Sequence, residues 1–219
     1  MFEAMDIGTQ MSLIRLNNGK FLVVDTCDVS DSAKSEIDTL TENGSLIEAV
    51  IATHPFHTMY FSSFYKIYPH AAFYGTPRHI RNINSIPWCG LITDPEVMKS
   101  WEVHDVYIRI TQGADFVNPA MSALVYHQES RTLHDNDTIN AHPDGTMDFH
   151  PQVLNGLFRT ADGPGQFYSF IRSIIEEWDF KNLAAGHSCV KTEGTKEKLL
   201  EILSELKPKL DEITANLSK

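Results

Sequence analysis

The run IEAVIA, residues 47–52, constrains this chain more than any other stretch. Its apolar, β-branched core suits a strand buried on both faces, which needs covering layers above and below it. The flanking segments supply candidates for those layers. MSLIRL and FLVVDT read as two strands joined by Asn17-Asn18-Gly19, a hairpin signal. SDSAKSEIDTLTENG predicts a helix with Ser30 or Asp31 as N-cap and Gly44 past its end. A helix from about Thr58 to Tyr68, the short strand AAFYGT and a turn-plus-helix at Pro77 follow. The order β-β-α-β-α-β predicts an α/β sandwich.

Strands dominate much of the second half. VHDVYIRI (103–110) alternates, SALVYH (122–127) is apolar, and RTLHDND is a short strand running into acids. PGQFYSFIRSIIEEWDF has the pattern of an amphipathic helix, and NLAAG that of a brief strand. A last helix is predicted from about Thr195 to Asn216, with Leu199, Leu200, Ile202, Leu203, Leu206, Leu210 and Ile213 recurring at helical spacing. INSIPWCGLITDPEVMKSW is loop-rich and carries no predicted element.

Composition narrows the function classes. With 219 residues, 42% of them hydrophobic, the chain can bury a substantial core, and one domain over 1–219 is expected. A formal charge of −11, from 18 basic and 29 acidic residues, repels phosphate backbones and argues against nucleic-acid binding. Cys27, Cys89 and Cys189 are odd in number and never in a Cys-x-x-Cys pair, which suits a reducing compartment and excludes a zinc ribbon. No signal-peptide pattern opens the sequence, and no apolar run reaches membrane-spanning length. A cytoplasmic protein without a membrane partner is expected; the oligomeric state stays open.

Polar residues that suit metal or acid–base chemistry stand at four predicted strand ends, where layered α/β folds build their sites. They are Asp25, the pair His54 and His57, the group His134, Asp135 and Asp137, and His187. Histidine with carboxylate is the ligand set of zinc, iron or manganese. Each residue also has a structural explanation: Asp25 as a helix cap, Asp135 and Asp137 as turn residues, His187 as a packed histidine after Gly186, His57 as a helix-start residue. Cys27 is a candidate nucleophile if a helix N-terminus lowers its pKa, although a packed cysteine is the simpler account. ADGPGQF lacks the Lys-Ser/Thr ending of a phosphate loop and reads as a turn. Trp88, in the loop-rich stretch, is a candidate pocket wall or a satellite packing residue.

The order of these pieces resembles the metallo-β-lactamase-fold superfamily. NGKFLVVDT, a helix and a strand ending in Thr-His resemble its first half, SALVYHQESRTLHDNDTI its strand pair leading to an acid, and WDFKNLAAGHS its Gly-His turn before the last helix. The resemblance covers roughly residues 10–205 and implies a four-layer αββα sandwich. It also implies a degenerate site in a divergent branch. The family pattern His-x-His-x-Asp-His falls on His54-Pro55-Phe56-His57-Thr58-Met59, so only His54 stays in register, and Asn118 stands near the place of a later histidine. His54, Asp137 and His187 match family ligands: His54 and His187 would serve different metal positions, with Asp137 bridging them.

A binuclear clamp is therefore not expected. The leading expectation is a non-hydrolytic or small-molecule-binding member with no cofactor. In the alternative, His54, His57, Asp137 and His187 hold one zinc, iron or manganese ion for hydrolysis of an ester, lactone or thioester. Asp25, Asn118, His134 and Trp88 would line the pocket, and Phe56 and Met59 are expected to fill the former metal cavity. A protein-interaction scaffold using the apolar helix faces is the third reading.

Overall fold

The computed structural model describes residues 9–114, 122–187 and 189–219. The first sheet has five strands, β1 (Ser12–Arg15), β2 (Phe21–Val24), β3 (Ile47–Ile51), β4 (Ala72–Gly75) and β5 (Gly90–Leu91), in that spatial order. β1 and β2 are an antiparallel hairpin, and β2 to β5 are parallel. The intervening helices are α1 (Asp31–Thr41), α2 (Phe61–Ile67) and α3 (Pro77–Asn82). After α4 (Pro95–Ser100) the chain builds β6 (Val106–Ile110), β7 (Ala123–His127) and β8 (Thr132–Asp135). A hairpin of β9 (Ile139–Ala141) and β10 (Met147–Phe149) leads through α5 (Val153–Gly156) to α6 (Gly163–Glu177). The chain closes with β11 (Asn182–Ala185), β12 (Val190–Lys191) and α7 (Thr195–Leu217), and the second sheet has the order β12-β11-β8-β7-β6.

The two-residue period of the strands builds the layers. Leu22, Val24, Ala49 and Ile51 meet Val106, Ile108, Ala123 and Val125 between the sheets. The alternate residues Val23 and Val50 face outward, under Ile37 of α1 and Phe61 and Phe64 of α2. On the far side, Leu124, Tyr126, Leu133 and Leu183 pack beneath α6 and α7 through Phe167, Ile171, Ile174, Leu199, Ile202 and Leu203. Burial of each such aliphatic or aromatic side chain stabilises by roughly 1.5–3 kcal/mol. The result is the expected four-layer αββα sandwich. No helix among the described residues is long and apolar enough to cross a membrane.

Local chemistry sets most boundaries. Gly19 takes φ 83° in the first hairpin, and the Ser30 hydroxyl caps α1 by accepting from the Ala33 N–H. α2 begins at Phe61, later than the expected Thr58, because residues 54–58 are held in turns: the His57 N–H donates to the His54 carbonyl and the Thr58 N–H to that of Phe56. The stretch without a predicted element contains β5 and α4, too short for periodicity to register. The start of α4 was nevertheless signalled by Asp94-Pro95, where Asp94 accepts from the Glu96 N–H at 2.9 Å. β8 and β11 pair in parallel, Asp135 opposite Ala185, so their carboxyl ends emerge side by side.

Candidate metal centre

Four of the candidate residues meet where the carboxyl ends of β3, β8 and β11 converge. His57 Nε2 lies 3.0 Å and His54 Nε2 3.6 Å from Asp137 Oδ2, while His187 Nε2 lies 3.2 Å from Asp137 Oδ1 and 3.3 Å from His57 Nε2. One ligand atom each from His54, His57 and Asp137 can be chosen so that all lie within 4.8 Å of one another. His54 is fully buried, whereas His57, His187 and Asp137 are partly open. Asp137 sits at φ 66°, a left-handed conformation that Asp tolerates and that turns the chain sharply after β8. Burial opposes ionisation of Asp137. The hydrogen bonds from His187 and His57 and the charge of His54 and His57 outweigh it and hold the carboxyl far below its ordinary value.

Beneath this cluster lies a buried polar network that fixes the backbone on either side. Asp25, at φ 57° after β2, accepts from the Thr53 N–H at 2.8 Å, the Thr53 hydroxyl, the Asn136 amide and His134 Nε2 at 3.1 Å. His134 Nδ1 in turn meets the Ser12 hydroxyl at 2.9 Å. Asp25 thus ties together Thr53, which precedes His54, and Asn136, which precedes Asp137. Burial works against the Asp25 anion, but the bond and charge of His134 and the Thr53 hydroxyl win, and its carboxyl is held below its ordinary value.

Asp135 has a separate task. It accepts from the Ser122 hydroxyl and from the N–H groups of Thr138 and Ile139, pinning the turn that carries Asp137. Burial pushes it up to about 6 despite the bonds from Ser122 and Ile139. With these donors engaged, Asp25, His134 and Asp135 are supports of the cluster.

Two further supports escaped the sequence reading. His79, among the basic residues Arg78 and Arg81 in sequence, is buried, with Nε2 3.0 Å from the His57 carbonyl oxygen and Nδ1 2.8 Å from Thr76 Oγ1. The carbonyl can only accept, so Nε2 carries the proton and Nδ1 accepts from Thr76. Burial lowers the pKa of His79 and keeps it neutral at pH 7. The second support is an interlock between Asn136 and Gly186. A Cβ added at Gly186 would fall 1.2 Å from Asn136 Oδ1, so only glycine lets the β11 end approach the Asn136 amide and bring His187 up to Asp137. Nothing local marks either residue for this role.

Other expectations are corrected. Phe56 is 38% and Met59 79% exposed, so neither fills a metal cavity. The turn at residues 54–58 carries their side chains outward, where the Arg78 guanidinium lies 4.3 Å from the centre of the Phe56 ring. Cys27 is raised, not lowered: burial and the neighbouring Asp28 disfavour its thiolate. Trp88, read as either a pocket wall or a packing residue, packs among Phe61, Phe73 and His79 and donates from its indole nitrogen to the Ile83 carbonyl. Asn118 lies outside the described residues.

A metal ion bound to His54 Nε2 requires the proton on Nδ1, which now faces the Phe56 N–H at 3.3 Å. That long contact must open on binding. The donor set otherwise fits one ion: three imidazole nitrogens surround an ionised carboxylate, and Nε2 of both His57 and His187 is already directed at it.

No family model matches the chain, and no curated protein matches it. Solved structures do. A metallo-β-lactamase from Erythrobacter litoralis with β-mercaptoethanol in its active site superposes with TM-score 0.60 at 16% identity, over 94% of this chain and 90% of that one. The metallo-β-lactamase FIM-1 from Pseudomonas aeruginosa, in its mono-zinc form, gives 0.55 at 10% identity over 89% of each chain. A flavo di-iron protein mutant from Thermotoga maritima gives 0.61 at 12% identity, over 90% of this chain but 53% of that one. These likenesses establish the fold.

Proposed function

We propose that this metallo-β-lactamase-fold protein is a hydrolase of an ester, lactone or thioester that uses one divalent metal ion, held by His54, His57 and Asp137 with His187 beside the remaining position. The supporting observation is the spacing of the donor atoms. A tetrahedral ion with bonds of about 2.0–2.1 Å keeps its ligand atoms about 3.3 Å apart; His57 and His54 Nε2 lie 3.0 and 3.6 Å from Asp137 Oδ2, and the three residues offer ligand atoms all within 4.8 Å of one another. Two histidines and one carboxylate are also a donor set that leaves a catalytic ion an open position.

When bound, the ion supplies Lewis acidity and lowers the pKa of water toward neutrality. The chain contributes the rest. Asp137 brings the negative charge that retains a divalent ion, and its second oxygen orients His187. His187 Nε2 is the group that can hold a proton at the cluster and release it to a leaving oxygen. The Asp25 network and the Asn136–Gly186 interlock keep these groups from drifting apart.

A non-hydrolytic small-molecule binder is the second reading. It is favoured by Phe56, Thr58 and Met59, which stand where the resemblance puts two histidines and an aspartate. Elemental analysis of untagged protein, before and after supply of zinc, iron and manganese, separates the two. The hydrolase requires about one equivalent of metal in the native protein, lost in His54→Ala, His57→Ala and Asp137→Asn, and a turnover that His187→Ala abolishes in an ester and lactone screen. Metal-free protein under every condition leaves the second reading.

A further inference from the structure

Arg78 stands beside the cluster with no acid partner. Its guanidinium carbon lies 4.3 Å from the centre of the Phe56 ring, and that ring lies 5.9 Å from the ring of His54. The guanidinium is therefore one aromatic ring away from the candidate metal centre. Among the described residues no carboxylate forms an ion pair with Arg78, and its buried Nε makes no hydrogen bond. In a chain with 29 acidic residues against 18 basic ones, a half-buried arginine left without an acid is unusual. Stacking on Phe56 orients the guanidinium plane while leaving its N–H groups available for an anion.

The apolar neighbours point the same way. Phe56 and Met59 flank His57 in the chain and expose 38% and 79% of their surfaces. Exposed apolar side chains next in sequence to a polar cluster offer contact to an apolar group of a ligand. We infer that the site takes a substrate carrying an anionic group beside an apolar or aromatic body, with Arg78 receiving the anion and Phe56 and Met59 contacting the body. This rests on the proposed hydrolase site for its meaning as substrate selection. The recognition itself requires no metal and can be tested without it.

Phenylacetate, phenyl phosphate and the neutral phenylacetamide are titrated into metal-free protein, with binding followed by NMR chemical-shift perturbation and calorimetry. The expected result is saturable binding of an anionic probe roughly tenfold or more tighter than the amide, as a charge-assisted contact would give. Comparison of the carboxylate with the phosphate identifies which anion is preferred. Arg78→Met, which keeps an apolar chain against Phe56, should erase the anion preference while leaving metal stoichiometry unchanged. Phe56→Ala should weaken all three probes. Equal affinity for amide and anions, a preference that survives Arg78→Met, or no saturable binding overturns the inference. Failure of the hydrolase reading would show instead as absence of metal in elemental analysis, with the probe preference intact.

Discussion

At the scale of single residues, the candidate site depends on a carboxylate that touches no ligand atom. Asp25 is 1% exposed and gathers Thr53, His134 and Asn136 around it. Asp25→Ala would leave four buried donor groups, from three residues, without their acceptor, and a loss of about 3–5 kcal/mol is expected from urea unfolding. The acid dependence has a definite sign. The folded pKa lies below the ordinary carboxylate value of 3.8, so the anion's contribution is complete above that value and is lost as the pH falls through the lower folded value. Asp25→Asn should therefore flatten the fall in stability below about pH 4 relative to the parent protein, as read from unfolding midpoints across pH.

At the scale of elements, the sandwich keeps its chemistry and its packing apart. α6 and α7 cover the outer face of the second sheet, and Ile174 is fully buried between them and the strands. The residues of the cluster come instead from the loops after β3, β8 and β11. Ile174→Ala is expected to cost about 2–5 kcal/mol by leaving a cavity that the close-packed layers cannot collapse into. Metal stoichiometry at saturation, measured in the same variant below its melting range, should stay at the parent value. The strand pairing explains why the site is so localised. Parallel β8 and β11 end opposite one another, and the Gly186 N–H donates to the Asp135 carbonyl oxygen at 2.8 Å, which fixes the offset between Asp137 and His187.

At the scale of the whole molecule, the cluster joins the two halves of the chain. His54 and His57 follow the first sheet, and Asp137 follows a strand of the second, so an ion bound by these three fastens one sheet to the other. Binding to the folded state alone stabilises by about 2.7 kcal/mol at a hundredfold excess over Kd. For a chain of this size that is a rise of roughly 5–10 °C in Tm. Zinc added to chelator-treated protein should produce such a rise, and Asp137→Asn should abolish it in thermal scans.

Much of this protein was determined by its sequence alone. The apolar run at 47–52, the Asn17-Asn18-Gly19 turn, the Ser30 cap and the leucine period of α7 specify their elements through local sterics and burial, which act over a few neighbours. The same reading placed His54, His57, Asp137 and His187 at strand ends, because an abrupt change from apolar to polar residues is visible in one dimension. Tertiary structure alone decided what those residues meet. Asp135 and Asp137 are two residues apart with the same side chain, yet one pins a turn and the other joins the histidines; the direction each points is set by a left-handed φ at Asp137 and by Ser122 just before β7. His79, Asn136 and Gly186 acquire their roles from contacts with residues 22, 111 and 50 positions away. The outward turn of Phe56 and Met59 was likewise invisible, since their apolar character alone argues for burial. A hydrogen bond or a close approach between distant segments depends on how whole layers dock, and no local pattern encodes that distance.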